Sequence, residues 1–171
     1  SRFRPAGHTP GVYYCSVTPE TAAAEIAFYR LLFFAESPQT PIPRNPAEFT
    51  AFSVALATPF AIDLTQGQFA LREAEWTRPA DYTPCQALAG EARKAGIEIV
   101  AYRSVRDPQR GLNLAVLECA AFEQPAPLER QTWRISFAQT GVSAIREYPR
   151  KSIGFTMEDF SADPRLQQGR A

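Results

Sequence analysis

Two helical patterns set among short strand patterns, followed by an unbroken run of alternating residues, predict an α+β fold with mixed, mostly antiparallel sheets and two main helices. The helical patterns are PETAAAEIAFYRLLFFA and PCQALAGEARKA, and the alternating run is TWRISFAQTGVSAIREY. In a doubly wound parallel sheet, helices would alternate with strands to the end of the chain; here the late strands follow one another directly.

After the loop SRFRPAGHTP, the segment VYYCS reads as a short strand. Thr18 and Pro19 then start a helix, because threonine caps well and proline loses nothing at the first helical position, where its missing N–H has no partner anyway. That helix runs from about Pro19 to about Ala35. It stops at ESPQTPIPRNP, where Pro38, Pro41, Pro43 and Pro46 forbid both helix and central strand. EFTAFSVALATPFAIDLT is rich in β-branched and aromatic residues, and Pro59 divides it into strands at Glu48–Ala57 and Phe60–Leu64. Thr83-Pro84-Cys85-Gln86 reads as a capping box, opening a helix from about Pro84 to Ala95 that ends at Gly96. Strands follow at IEIVAY and LNLAVLE, and the alternating run turns near Gln139 to Gly141. The chain reads as a single domain, residues 1–171, of which about 155–171 form a partly ordered tail.

Composition removes several kinds of function. Eighteen basic and eighteen acidic residues leave no net charge to hold nucleic acid or an anionic membrane. Cys15, Cys85 and Cys119 are odd in number, widely spaced and without any CxxC, which fits reduced thiols in a cytoplasmic protein better than a disulfide framework or a zinc site. The longest apolar run, Ala22 to Ala35, is broken by Glu25 and Arg30 and falls short of the roughly 20 residues that span a membrane. No signal peptide is visible. His8 is the only histidine, in a loop flanked by Gly and Pro, so a histidine-based triad would rest on it alone. Without clustered Cys or His, and without GxxxxGK[ST] or a strand-linked GxGxxG, neither a metal site nor a phosphate loop is expected.

Three places carry polar residues that structure alone does not require. Glu25 lies seven residues past the helix cap, beyond the turn where a carboxylate gains from the helix dipole. Arg30, five residues on, sits roughly 140° round the helix and cannot pair with it, whereas Thr21 and Tyr29 share its face, making Tyr29 its natural hydrogen-bond neighbour. The plain alternative is a solvent-facing glutamate on a half-exposed helix. In AYRSVRDPQRG a strand releases Ser104 into a loop; with no histidine base available, it suits hydrogen bonding to a ligand better than nucleophilic attack. The alternative there is a serine turn beside two solvated arginines. SRFRPAG offers Arg2 and Arg4, suited to gripping a phosphate and equally to being plain surface.

Taken in order, SRFRPAG, VYYCSVTPETAAAE, AIDLT, AGIEIVAYRSVR and GLNLAVLE resemble the RES domain, a bacterial toxin family named for its arginine, glutamate and serine. The resemblance spans residues 2 to about 120. It places the family arginine on Arg2, the strand tyrosine on Tyr14, the glutamate on Glu25 and the serine on Ser104. Arg4 replaces the usual asparagine, Ala6 the second proline and Ser1 the leading glycine of the first motif.

The resemblance implies an ADP-ribosyltransferase-like fold that takes NAD as substrate and cleaves its nicotinamide N-glycosidic bond by hydrolysis or phosphorolysis, with inorganic phosphate then a co-substrate and no further cofactor. Glu25 would stabilise the oxocarbenium-like ribose, Arg2 hold the pyrophosphate or the nicotinamide ribose, Tyr14 stack on the pyridinium, and Ser104 orient the ribose or the nicotinamide. It also implies an Xre-type DNA-binding antitoxin as partner, which would make any DNA contact itself, and a homo-oligomer within that complex. Two other readings stay open: transfer of ADP-ribose to a macromolecule, and a non-catalytic interaction domain, the latter if Glu25 were buried against Ile or Leu beside no cavity.

Overall fold

The computed structural model describes residues 1–7 and 10–167. His8 and the last four residues of the expected tail lie outside them. The described residues form an α+β fold built on two four-stranded sheets. The first sheet has β1 (Tyr13–Ser16), β5 (Leu112–Val116), β4 (Ile99–Arg103) and β3 (Ala61–Asp63) in that spatial order. Its neighbours are antiparallel except β3 and β4, which are parallel. The second sheet is β2 (Ala47–Phe52), β6 (Arg130–Ala138), β7 (Gly141–Arg146) and β8 (Lys151–Thr156), antiparallel throughout. Pro59 does divide its run, and the two halves join different sheets.

Helix α1 (Pro19–Glu36) begins as expected: the Thr18 hydroxyl accepts from the Thr21 N–H. It is apolar nearly all round because its buried side chains, among them Ala24, Ala27, Phe28 and Leu31, pack against Trp133, Ile135, Val142 and Phe155 of the second sheet. The parallel β3–β4 connection carries two single-turn helices, α2 (Gly67–Ala70) and α3 (Glu73–Trp76), and the longer α4 (Thr83–Lys94). Cys85, Ala89 and Ala92 of α4 cover Val100, Tyr102 and Ala115 of the first sheet. The expected capping box is absent: the Thr83 N–H is capped by Asp81 Oδ1 at 3.0 Å, and Gln86 reaches the Ser1 carbonyl instead of the helix start. Gly96 (φ 71°) ends α4 as expected, with the Ile97 N–H returning to the Ala92 carbonyl.

Residues 155–167, read from sequence as part of a partly ordered tail, are packed. Phe155 belongs to β8, a third strand beyond the expected hairpin, whose turn does fall at Gln139 and Thr140. Beyond it, Phe160 and Leu166 enter the α1 core, and the last turn, α5 (Pro164–Gln167), contacts α1. This return brings Asp163 and Arg165 beside the loop that follows β4.

Candidate active site

A cavity of about 500 Å³ opens where α1, the edge strand β1, the N-terminal segment and the C-terminal return meet. That size is ordinary for a small-molecule site. Glu25, Tyr29, Ala22 and Ile26 of α1 line it, all within one turn of Glu25. Glu25 is half-buried and held from the turn after β4 and from β5: Ser104 Oγ donates to its Oε1 at 2.7 Å and Asn113 Nδ2 donates to the same oxygen at 2.6 Å. Its second oxygen receives no hydrogen bond among the described residues. Asn113 is itself oriented, because Ser16 Oγ donates to its Oδ1 at 2.6 Å.

The loop behind Glu25 is locked onto α1. Asp107 Oδ2 accepts from Thr21 Oγ1 at 2.8 Å and from the Gly111 N–H, while Oδ1 accepts from the Gln109 N–H. A Cβ on Gly111 would stand 2.1 Å from Thr21 Oγ1, so only glycine allows this approach. The lock fixes Ser104 against the helix, so the carboxylate is set before any ligand arrives.

Ser104 does not meet the cavity. It is 2% exposed, and its hydroxyl is used up: it donates to Glu25 and accepts from the Arg106 and Asp107 N–H groups at 3.1 and 3.0 Å. The expectation that it orients a ribose or nicotinamide directly is therefore corrected. It positions Glu25, because the turn after β4 points its side chain at α1. Tyr29 likewise does not bond to Glu25; its neighbour is the Tyr82 hydroxyl.

Arg2 is 8% exposed and lines the cavity, whereas Arg4 is exposed. Arg2 Nη1 donates to the Trp76 carbonyl at 2.7 Å and its guanidinium lies 4.7 Å from the centre of the Tyr82 ring. It has no carboxylate partner among the described residues. Tyr14 holds the backbone around Arg2: its hydroxyl accepts from the Phe3 N–H and contacts Ser1 Oγ, both at 3.0 Å, while the residue lines the cavity.

Further residues of the wall have no role in the sequence reading. Arg106 is not a solvated arginine but 3% exposed, stacked 3.8 Å from the centre of the Phe28 ring and paired with Asp163 at 2.8 Å. Arg165 pairs with the same carboxylate, Nε to Oδ1 and Nη2 to Oδ2, and lies 3.4 Å from the Tyr82 hydroxyl. Burial alone would raise the Tyr82 phenol, but the Tyr29 hydrogen bond and the charges of Arg106, Arg165 and Arg2 overcome it and lower its pKa. Burial raises the Tyr29 phenol, with Tyr82 adding to the shift. Cys15 also lines the cavity, yet burial pushes its thiol up to about 11, which disfavours the thiolate. No group of His, Cys, Asp and Glu able to hold a metal occurs among the described residues, and no helix there is long and apolar enough to cross a membrane.

Compared with protein families, residues 1–138 match the RES domain, most of the 171-residue chain. The chain belongs to the RES domain family. A comparison with curated proteins gives no match. The family match covers Arg2, Tyr14, Glu25, Ser104 and Asn113 but ends before Asp163 and Arg165.

Proposed function

We propose that this chain is a toxin that binds NAD in the cavity and cleaves its nicotinamide N-glycosidic bond, on an ADP-ribosyltransferase-like fold. One observation carries the reading: a carboxylate tethered through one oxygen by Ser104 and Asn113, on the wall of a cavity that also contains a buried guanidinium with no carboxylate partner among the described residues. Family membership supports it. The cavity beside Glu25 favours this reading over that of a non-catalytic interaction domain.

The chemistry follows from the charges. As the bond from ribose C1′ to the nicotinamide nitrogen breaks, the bonding electrons leave with nicotinamide, which departs neutral, and positive charge grows on the ribose. Glu25 faces that charge and stabilises it without reorganising, because Ser104 and Asn113 already hold it. No acid is needed at the leaving group, so a usable histidine is not required. Arg2 binds the phosphates, and the ring of Tyr14 stacks on the pyridinium. A second cavity of about 340 Å³ shares Tyr14, Cys15 and Ser16 with the first and leaves room for an extended dinucleotide. The partner of this toxin is an Xre-type antitoxin that blocks the cavity mouth.

The test is nicotinamide release from NAD by the purified chain, with and without inorganic phosphate. Release that rises with phosphate and yields ADP-ribose 1″-phosphate marks phosphorolysis; release indifferent to phosphate with free ADP-ribose marks hydrolysis. Absence of release in both conditions contradicts the proposal.

A further inference from the structure

The C-terminal return holds a charge arrangement that the proposed cleavage of the glycosidic bond does not use. Asp163 is 1% exposed and accepts from two guanidiniums, those of Arg106 and Arg165. One carboxylate thus serves two cations, and Arg2 adds a third without a carboxylate of its own among the described residues. These three arginines, with Tyr82, lie on one side of the same cavity. Arg2 sits over the face of the Tyr82 ring and Arg165 at its hydroxyl, so the two bracket it. Like charges gathered at a half-buried wall repel unless something anionic completes them. The lowered Tyr82 phenol is a second sign of the positive potential there.

The geometry points to a phosphate site in which Arg165, aligned by Asp163, acts together with Arg2 across Tyr82. Arg106 serves it differently: Asp163, the Pro79 carbonyl and the Phe28 ring already occupy it, so it contributes charge and support. Arg165 is the adaptable member, one-third exposed at its side chain, with Nη1 unbonded among the described residues. Its ligand is a tetrahedral phosphate, either within the dinucleotide or as free inorganic phosphate. Arg165 lies beyond the stretch that matches the family, so the proposed site extends into the C-terminal return.

The identification of the source rests on the NAD reading, but the existence of the site does not, so the experiment has two arms. In the first, inorganic phosphate and inorganic pyrophosphate are titrated calorimetrically into the wild-type chain, Arg165→Gln, Arg165→Lys and the surface control Arg78→Gln. The loss of one charge-assisted contact predicts anion binding weakened about tenfold or more in Arg165→Gln. Partial recovery is expected in Arg165→Lys, and wild-type binding in Arg78→Gln. Thermal melting confirms that each variant is folded; Asp163 keeps Arg106 as partner. Equal anion binding by Arg165→Gln and wild type overturns the site, whatever the enzyme does with NAD. In the second arm NAD turnover is followed. A raised KM for NAD at every phosphate concentration assigns the site to the dinucleotide. Lost phosphate dependence with an unchanged KM for NAD assigns it to inorganic phosphate. A variant that keeps wild-type values of both contradicts the proposal.

Discussion

Glu25 is held through only one of its two oxygens among the described residues. Oε1 takes both protein donors, so replacing either donor loosens the carboxylate's aim. Ser104→Ala removes one donor and leaves the buried N–H groups of Arg106 and Asp107 unpaired. It should lower kcat about 10- to 150-fold with little change in KM, and it should also lower the melting temperature, since each orphaned N–H costs about 1–3 kcal/mol. Asn113→Asp sets a second carboxylate beside the first. The hydrogen-bond donor is lost and a like charge takes its place, so kcat should fall about tenfold or more; an unchanged kcat would place Asn113 outside the site. Arg2, Tyr14, Glu25 and Ser104 were legible because short motifs carried them, though the role of Ser104 depended on which way a turn points it. Asn113 also left a trace: it interrupts an apolar strand at a position whose same-face neighbours, Ala115 and Leu117, are buried. Arg106 and Arg165 left none, since no local pattern reports a pairing through Asp163 across more than fifty positions.

Among the elements, α1 is shared between two tasks. One side packs on the second sheet and the other carries Ala22, Glu25, Ile26 and Tyr29 to the cavity, which is why its sequence shows little polar face. Its start and length, and the presence of β4, β5 and the β6–β7 hairpin, follow from local rules of capping and alternation. The C-terminal return does not: KSIGFT is short, its strand needs β7 to be recognised, and single aromatic residues after it show no period. Its packing is nonetheless substantial. Phe160 is buried among Phe28, Phe155 and Leu166, so Phe160→Ala should cost about 3–5 kcal/mol in denaturant unfolding. A cost below about 1 kcal/mol would restore the partly ordered tail.

At the scale of the molecule, the two sheets were foreseeable as a class from the order of helices and strands, while their assignment of β2 and β3 to different sheets required the three-dimensional path. The cavity lies between α1 and the first sheet, and the ion triad of Arg106, Asp163 and Arg165 ties the C-terminal return to it. Burial opposes the ionised form of Asp163, but hydrogen bonds from Arg165 and the charge of Arg106 prevail and depress its pKa in the folded chain. A depressed carboxylate contributes stability that is full above its unfolded value, about 3.9, and is lost as pH falls through the lower folded value. Asp163→Asn should therefore be clearly less stable than wild type at neutral pH, and the gap should narrow as pH falls below about 4. A gap constant with pH would show that the triad contributes no ionic stabilisation. The central claim concerns the cavity itself and is met most directly by one comparison: nicotinamide released from NAD by the wild-type chain and by Glu25→Gln, with NAD binding measured in both. The account predicts release by the wild type and a fall of roughly 10²-fold or more in Glu25→Gln, with binding largely kept; undiminished release by Glu25→Gln would contradict it.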